Sequence, residues 1–334
     1  MLWCTKAPTN PGTTRKAAAD KDTDMKANIS TAQLPDAAPA ESRTYRSRVV
    51  DYAIILKPRV MSLVVFTGLV GLLLAPGAID ILSAIITVAC IAAGAGASGA
   101  INMWYDRDID ILMARTMDRP IPAARMAPQE ALIFGGLLAA VSVAVMATSI
   151  NLAAAGLLAL TILYYVFIYT MWLKRRTPQN IVIGGASGAF PPMIGWAAVT
   201  GTIDPISLVL FAIIFLWTPP HSWALALFSN SDYTRAGVPM MPVVAGPEST
   251  KRQVLCYSWV LVAATLLPYG VGMSGLLYAV TAIMLGIRFL RLAWILRGAE
   301  DETLAARKLF GYSILYLFLI FLALLADRAL SVLA

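Results

Sequence analysis

The chain has 334 residues, of which 59% are hydrophobic and 13% charged, and its 26 Lys and Arg against 19 Asp and Glu give a net charge of +7. So few polar side chains cannot cover a water-soluble globule of this size, and lipid must be part of the solvent. The basic residues fall in alternate loops and form no stripe interleaved with exposed aromatics, which argues against a nucleic-acid partner.

Residues 1–48 are rich in Ala, Thr, Ser, Pro, Lys and Asp and contain no apolar run. They read as a disordered cytoplasmic tail ahead of a membrane domain over 49–334. Acids in the tail (Asp20, Asp22, Asp24, Asp36 and Glu41) argue against a mitochondrial transit peptide and favour a bacterial inner membrane. Cys4, Cys90 and Cys256 are isolated, with no spacing suited to zinc or covalent haem.

Nine apolar runs follow, at 61–75, 81–103, 131–148, 152–173, 181–199, 206–227, 255–271, 276–296 and 309–325. Each approaches the ~20 residues a spanning helix needs, and nothing alternates in the manner of a membrane barrel. Only helices satisfy their own backbone groups in hydrocarbon, so the fold class is an all-α integral membrane protein of nine transmembrane helices. Loops 75–80, 147–151, 200–205 and 269–275 hold no Lys or Arg. A cytoplasmic N-terminus therefore puts 25 of the 26 basic residues on the cytoplasmic side, 8 of them before Asp51 and 17 after it. Only Arg328 stands outside, with a periplasmic C-terminus.

The second run ends in Asn102, Asp106 and Asp110, spaced i, i+4 and i+8 on one helical face. Unpaired carboxylates at a membrane helix end are costly, and acids one turn apart repel unless a cation lies between them. Oxygen-only donors with no nearby His or Cys suit a hard cation such as Mg2+, with room left for water and phosphate oxygens. An interfacial salt-bridge cluster with Arg107, Arg115 and Arg119 accounts for the same acids. Arg115 and Arg119 would lie a turn apart if the helix continued to Pro120, and guanidinium forks bind phosphate bidentately. Lys174, Arg175 and Arg176 close the fourth run on the same side, where they serve either as a diphosphate clamp or as a positive-inside anchor.

The fifth run contains Gly184, Gly185, Gly188, Pro191 and Pro192, a composition that permits close helix approach. In the sixth, Pro219 and Pro220 are expected to break the helix and border a cavity. His221, the only histidine in the chain, excludes a bis-His haem but leaves open a single contact to iron or a porphyrin propionate, with a helix-end hydrogen bond as the commoner role of a lone histidine. Acidic segments follow the second and sixth runs and basic ones the fourth and eighth, suggesting two parallel half-bundles and a ninth helix. That repeat predicts that Asp106, Asp110 and Asp232 converge at one cavity mouth.

These residues resemble the UbiA-type intramembrane prenyltransferases, a nine-helix superfamily with a first N-x3-D-x3-D motif matched here by Asn102, Asp106 and Asp110. Residues 102–122, 173–192 and 218–227, with Asp232, Tyr233, Ala236, Gly237, Pro239 and Met240, are similar in particular to haem O synthases, the protohaem IX farnesyltransferase family. The resemblance runs from about Tyr52 to the C-terminus. It implies farnesyl diphosphate as donor, haem B as acceptor and haem O as product, in terminal oxidase biogenesis, with haem A synthase or oxidase assembly proteins as partners. Together with the residue reading, it gives an expected site in which Asn102, Asp106, Asp110 and Asp232 hold Mg2+ and Arg115, Arg119, Lys174 and Arg175 clamp the diphosphate. One departure is Phe228, which stands where many superfamily members carry the first acid of a second D-x3-D. A prenyltransferase of the same fold with an aromatic or other tetrapyrrole acceptor is the alternative. A phosphatidyltransferase lacks its DG-x2-AR signature here, and a transporter would carry its acids deeper in the spans. A haem chaperone would need no metal platform.

Overall fold

A computed structural model describes residues 45–333; the predicted tail lies outside them except for its last four residues. All regular structure among them is helical. A first helix, α1 (Tyr45–Ile55), meets α2 (Pro58–Leu74) at a bend of 52°. The long helices that follow are α3 (Ile81–Tyr105), α5 (Pro128–Ser149) and α6 (Leu152–Leu163), with α4 (Arg107–Asp110) as a short turn after α3. Helix α6 continues as a π-helix over Tyr164–Leu173.

The fifth span is broken into α7 (Asn180–Gly184), α8 (Ala186–Ala189) and α9 (Pro191–Thr200). After it come α10 (Ser207–Phe228), α11 (Asn230–Arg235), α12 (Met241–Ala264), α13 (Leu267–Gly270), α14 (Leu276–Gly298) and α15 (Glu302–Leu333). Among the described residues eight helices are long and apolar enough to cross a membrane, nine with the bent pair at the start. Each predicted run coincides with one of them.

Many large exposed side chains on these helices are apolar, among them Leu82, Leu137, Phe167 and Ile287, as a lipid-facing surface requires. Two buried cores lie inside. One is built from α3, α5, α6 and α9 around Ile91, Met146, Leu158 and Ile194; the other is dominated by α10, α12, α14 and α15 around Trp223, Phe289, Tyr316 and Phe321. Helix α2 touches α3, α9 and α15 and so borders both. Its approach to α9 depends on glycine: a Cβ on Gly195 would meet the Gly68 carbonyl, and one on Gly71 the Pro192 backbone.

The structure differs from the sequence expectation at two proline sites. Helix α10 runs unbroken through Pro219 and Pro220. The Thr218 hydroxyl donates to the Ile214 carbonyl at 2.9 Å and the Trp217 indole donates to the Ser313 carbonyl at 2.8 Å, which ties the turn before the prolines to α15. A cavity does border this stretch, beside Trp217, Thr218, His221 and Ser222. The helix also does not continue from Asp110 to Pro120; it ends at Asp110, where the Thr116 hydroxyl takes the Asp110 carbonyl at 2.8 Å and a series of turns follows.

Candidate active site

Asp106 is the C-cap of α3, its N–H bonded to the Asn102 carbonyl at 2.9 Å, and the Asp110 N–H returns to the Asp106 carbonyl at 2.8 Å. Helical spacing is thereby kept across the junction. Asn102, Asp106 and Asp110 stack as the sequence predicts, all three buried. Buried carboxylates need compensation, and each donor in the stack has a cationic partner. Lys57 donates to Asn102 Oδ1 over 2.7 Å, Lys174 pairs with Asp106, and Arg119 holds Asp110 at 2.6 Å. The Asn102 amide donates to Asp106 Oδ2 at 2.7 Å and Thr170 Oγ1 at 3.2 Å, which fixes its orientation.

The π-helix presents the facing wall. Its wider turn, marked by the Lys174 N–H reaching the Tyr169 carbonyl at 2.9 Å, sets Tyr165, Tyr169 and Lys174 along one side. Burial alone would lower the Lys174 pKa, but the adjacent Asp106 carboxylate outweighs it and holds the ammonium above its ordinary value. Arg175 grips Asp108 with two bonds of 2.7 Å and lies over the Tyr105 ring at 4.9 Å. That guanidinium holds the Asp108 carboxyl below the usual carboxylate range. The clasp ties α4 to the end of the π-helix.

Between these walls lies a cavity of about 340 Å3. Its charged end carries Lys57, Asn102, Asp110, Arg115, Arg119 and Lys174, and its apolar end Ile91, Ala95, Leu158, Pro191 and Ile194. A second cavity of about 280 Å3 shares Val60, Val64, Tyr165, Tyr169, Ile181, Ser187 and Gly188 with the first and extends to Trp217, His221 and Leu317. Such an arrangement can hold an anionic head, its apolar tail and a second apolar reactant at one common wall.

Sequence-predicted residues divide into three groups. Asn102, Asp110, Arg115, Arg119 and Lys174 border the first cavity. Asp106 is sealed behind it by Lys174, while Arg175 is turned to Asp108 and is absent from the lining. Asp232 lies on α11, half-buried and 3.7 Å from Arg235; its neighbour Tyr233 reaches the cavity wall, but its own carboxylate does not. No cluster of three or more His, Cys, Asp or Glu gathers around a common point among the described residues. His221 borders the second cavity.

The sequence reading passed over Lys57, Tyr165, Tyr169 and Thr170. Lys57 adopts a left-handed backbone (φ 53°, ψ 52°) at the bend between α1 and α2, close to Gly99. A lysine before a span looks like any topology anchor, and only this irregular backbone turns it inward.

Residues 64–324 match the family described as the UbiA prenyltransferase family. The chain is 54% identical over 313 residues to the protoheme IX farnesyltransferase of Parvibaculum lavamentivorans, covering 93% of this chain and 96% of that one. It is 58% identical over 280 residues to the protoheme IX farnesyltransferase of Brucella ovis, covering 83% and 90%. Among solved structures, an apo UbiA homologue from Aeropyrum pernix K1 superimposes with a TM-score of 0.64 at 19% identity, covering 81% of this chain and 97% of that one. A UbiA homologue from Archaeoglobus fulgidus bound to DMAPP and Mg2+ gives 0.58 at 18% identity, covering 82% and 99%.

Proposed function

The chain belongs to the UbiA prenyltransferase family, and from that premise we propose that it transfers a farnesyl group from farnesyl diphosphate to a vinyl group of haem B (protohaem IX), giving haem O for terminal oxidase biogenesis. It is a multi-pass membrane protein. Identity above 50% over almost the full length of protoheme IX farnesyltransferases carries the choice of acceptor. The acids of the N-terminal tail favour a bacterial inner membrane, and the alternation of basic loops supports a cytoplasmic charged cavity end and N-terminus with a periplasmic C-terminus. Haem A synthase or oxidase assembly proteins, as consumers of the product, are the partners this reading implies.

The donor set at the site fits Mg2+. Asn102 Oδ1 and the Asp106 and Asp110 carboxylates are buried hard oxygens, and each is met by a side-chain cation, Lys57, Lys174 or Arg119, of the kind a divalent ion would relieve. We assign these three residues to hold it; Asp232, whose carboxylate lies off the cavity wall beside Arg235, would have to turn inward to join them. Bound there, Mg2+ would supply positive charge to the departing diphosphate.

Arg115, Arg119 and Lys174 bind diphosphate oxygens as charge builds on the leaving group. Arg175 keeps the π-helix end in place through Asp108. The allylic C–O bond breaks and leaves a delocalised farnesyl cation beside the Tyr165 and Tyr169 rings, whose π-electrons favour it. The terminal vinyl carbon of haem forms the new C–C bond. Water then adds to the other vinyl carbon and loses a proton, completing a hydroxyethylfarnesyl group. Apolar walls keep water from the cation until that bond has formed.

Purified membranes given haem B, Mg2+ and labelled farnesyl or geranylgeranyl diphosphate test the assignment directly. Haem O, identified by mass and dependent on the farnesyl donor, is the expected product. Label appearing on an aromatic acceptor, with haem B unchanged, would overturn it.

A further inference from the structure

His221 is the only histidine in the chain, and its ring is fixed on three sides. It is sandwiched between Trp217, with centroids 4.1 Å and planes 18° apart, and Phe310, at 4.6 Å and 23°. Nδ1 lies 2.7 Å from Ser313 Oγ. Ser313 gives its one hydroxyl proton to the Phe310 carbonyl at 2.6 Å. With that proton committed to the carbonyl, its oxygen accepts from Nδ1–H and leaves the Nε2 lone pair free, the tautomer that metal ligation requires.

Among the described residues no group bonds Nε2, which is not sealed in the interior, and the ring borders the second cavity. Elsewhere on that wall, the hydroxyls of Thr67, Ser187 and Thr218 are spent on carbonyls three or four residues earlier, at 3.0, 2.7 and 2.9 Å, while Ser222 also borders the space. An imidazole whose N–H is donated to an oxygen, with the opposite nitrogen facing an apolar space, is arranged as metal-ligating histidines are.

We propose that His221 Nε2 is the axial ligand of the iron in the haem acceptor, which makes the second cavity the porphyrin subsite; this rests on the protohaem reading above. The imidazole lone pair fills an open axial position of the iron, with no porphyrin bond broken and no change of redox state. Ligation fixes the porphyrin centre and leaves rotation about the iron–nitrogen bond. The wall of Tyr165 and Tyr169, common to both cavities, then determines which edge of the macrocycle meets the prenyl chain.

Full-length purified enzyme is titrated with ferric haem B and, separately, with metal-free protoporphyrin IX, followed by absorption and electron paramagnetic resonance. The wild type is expected to show an imidazole-ligated haem spectrum. His221→Gly should lose it, bind haem ~10-fold or more weakly, keep protoporphyrin IX binding, and recover the spectrum when imidazole is added. An unchanged haem spectrum in His221→Gly, or equal weakening for haem and protoporphyrin IX, overturns the ligation. Ser313→Ala leaves the imidazole in place and is expected to alter the resonance of bound haem, so an unaltered resonance overturns the proposal even where His221→Gly fails to fold. Haem O formation by wild type without a His221-dependent spectrum sinks ligation alone. A His221-dependent spectrum in an enzyme that forms no farnesylated haem sinks the substrate assignment and leaves ligation standing.

Discussion

Lys57 Nζ donates to the Asn102 side-chain oxygen over 2.7 Å, joining the bend before α2 to the end of α3. The lysine reaches it from a left-handed backbone, a conformation that costs a non-glycine residue roughly 1–2 kcal/mol. Strain of this kind persists where the side chain is needed.

Lys57→Gly separates those two effects. Glycine accepts the backbone without strain, so thermal stability should stay near native. Loss of the ammonium from the charged cavity end should lower farnesyl transfer ~10²-fold, as removal of one electrostatic stabiliser does elsewhere. Initial rates beside a melting curve of the purified protein decide it, and an unimpaired rate would remove Lys57 from the site.

Asp106 and Lys174 form the most deeply buried ion pair of the site, with side chains 0% and 14% exposed. Asp106→Asn strands a buried ammonium and should cost about 3 kcal/mol of stability along with ~10²-fold or more in rate. The double variant Asp106→Asn with Lys174→Met removes both charges, so stability should return while transfer does not. Recovery of both would make the pair structural only. Asp110→Asn should lose rate with a smaller stability loss, because Arg119 is 21% exposed and can be solvated.

The fold was legible because hydrocarbon leaves few choices: apolar runs bounded by charge became helices in register with the predicted spans. The acid stack was legible for a related reason, since Asp106 and Asp110 at a membrane helix end demand an explanation. What escaped depends on tertiary contacts. The π-helix over Tyr164–Leu173 reads as an ordinary span, and its aromatic run looks like lipid-facing surface, so the roles of Tyr165 and Tyr169 were hidden. Pro219 and Pro220 suggested a break because local rules ignore the packing of α10 against α12 and α15. Asp232 was placed by an inferred repeat, and a repeat fixes the position of a helix more closely than the direction of its side chains.

Gly195 and Gly156 both lie in helices but in opposite surroundings. A Cβ on Gly195 would meet backbone of α2, including Leu72 N at 2.7 Å, whereas Gly156 has nothing within 4 Å. Gly195→Ala should force α2 and α9 apart at a cost of about 1–3 kcal/mol, disturbing the cavity wall that Val64 and Pro191 share. Gly156→Ala should gain roughly 0.5–1 kcal/mol through helix propensity alone. Melting temperatures of the two variants, moving in opposite directions, are the expected result; a Gly195→Ala protein as stable as wild type would show that the contact relaxes.

The apolar end of the first cavity is closed by Ile91, Leu158 and Ile194, all buried. Ile91 lies eleven residues before Asn102 on α3, a rise of ~16 Å from the charged end, which suits a chain of a few isoprene units. If these side chains set donor length, truncating them should admit a longer tail. Ile91→Ala with Leu158→Ala should raise the ratio of geranylgeranyl to farnesyl transfer by ~10-fold or more, the range by which apolar pockets discriminate chain length. Ala95→Leu should shift preference toward the shorter geranyl donor by narrowing the same passage. Competition between labelled donors in one reaction reads the ratio independently of how much enzyme is folded. A ratio unchanged in both variants would mean that the tail takes another path.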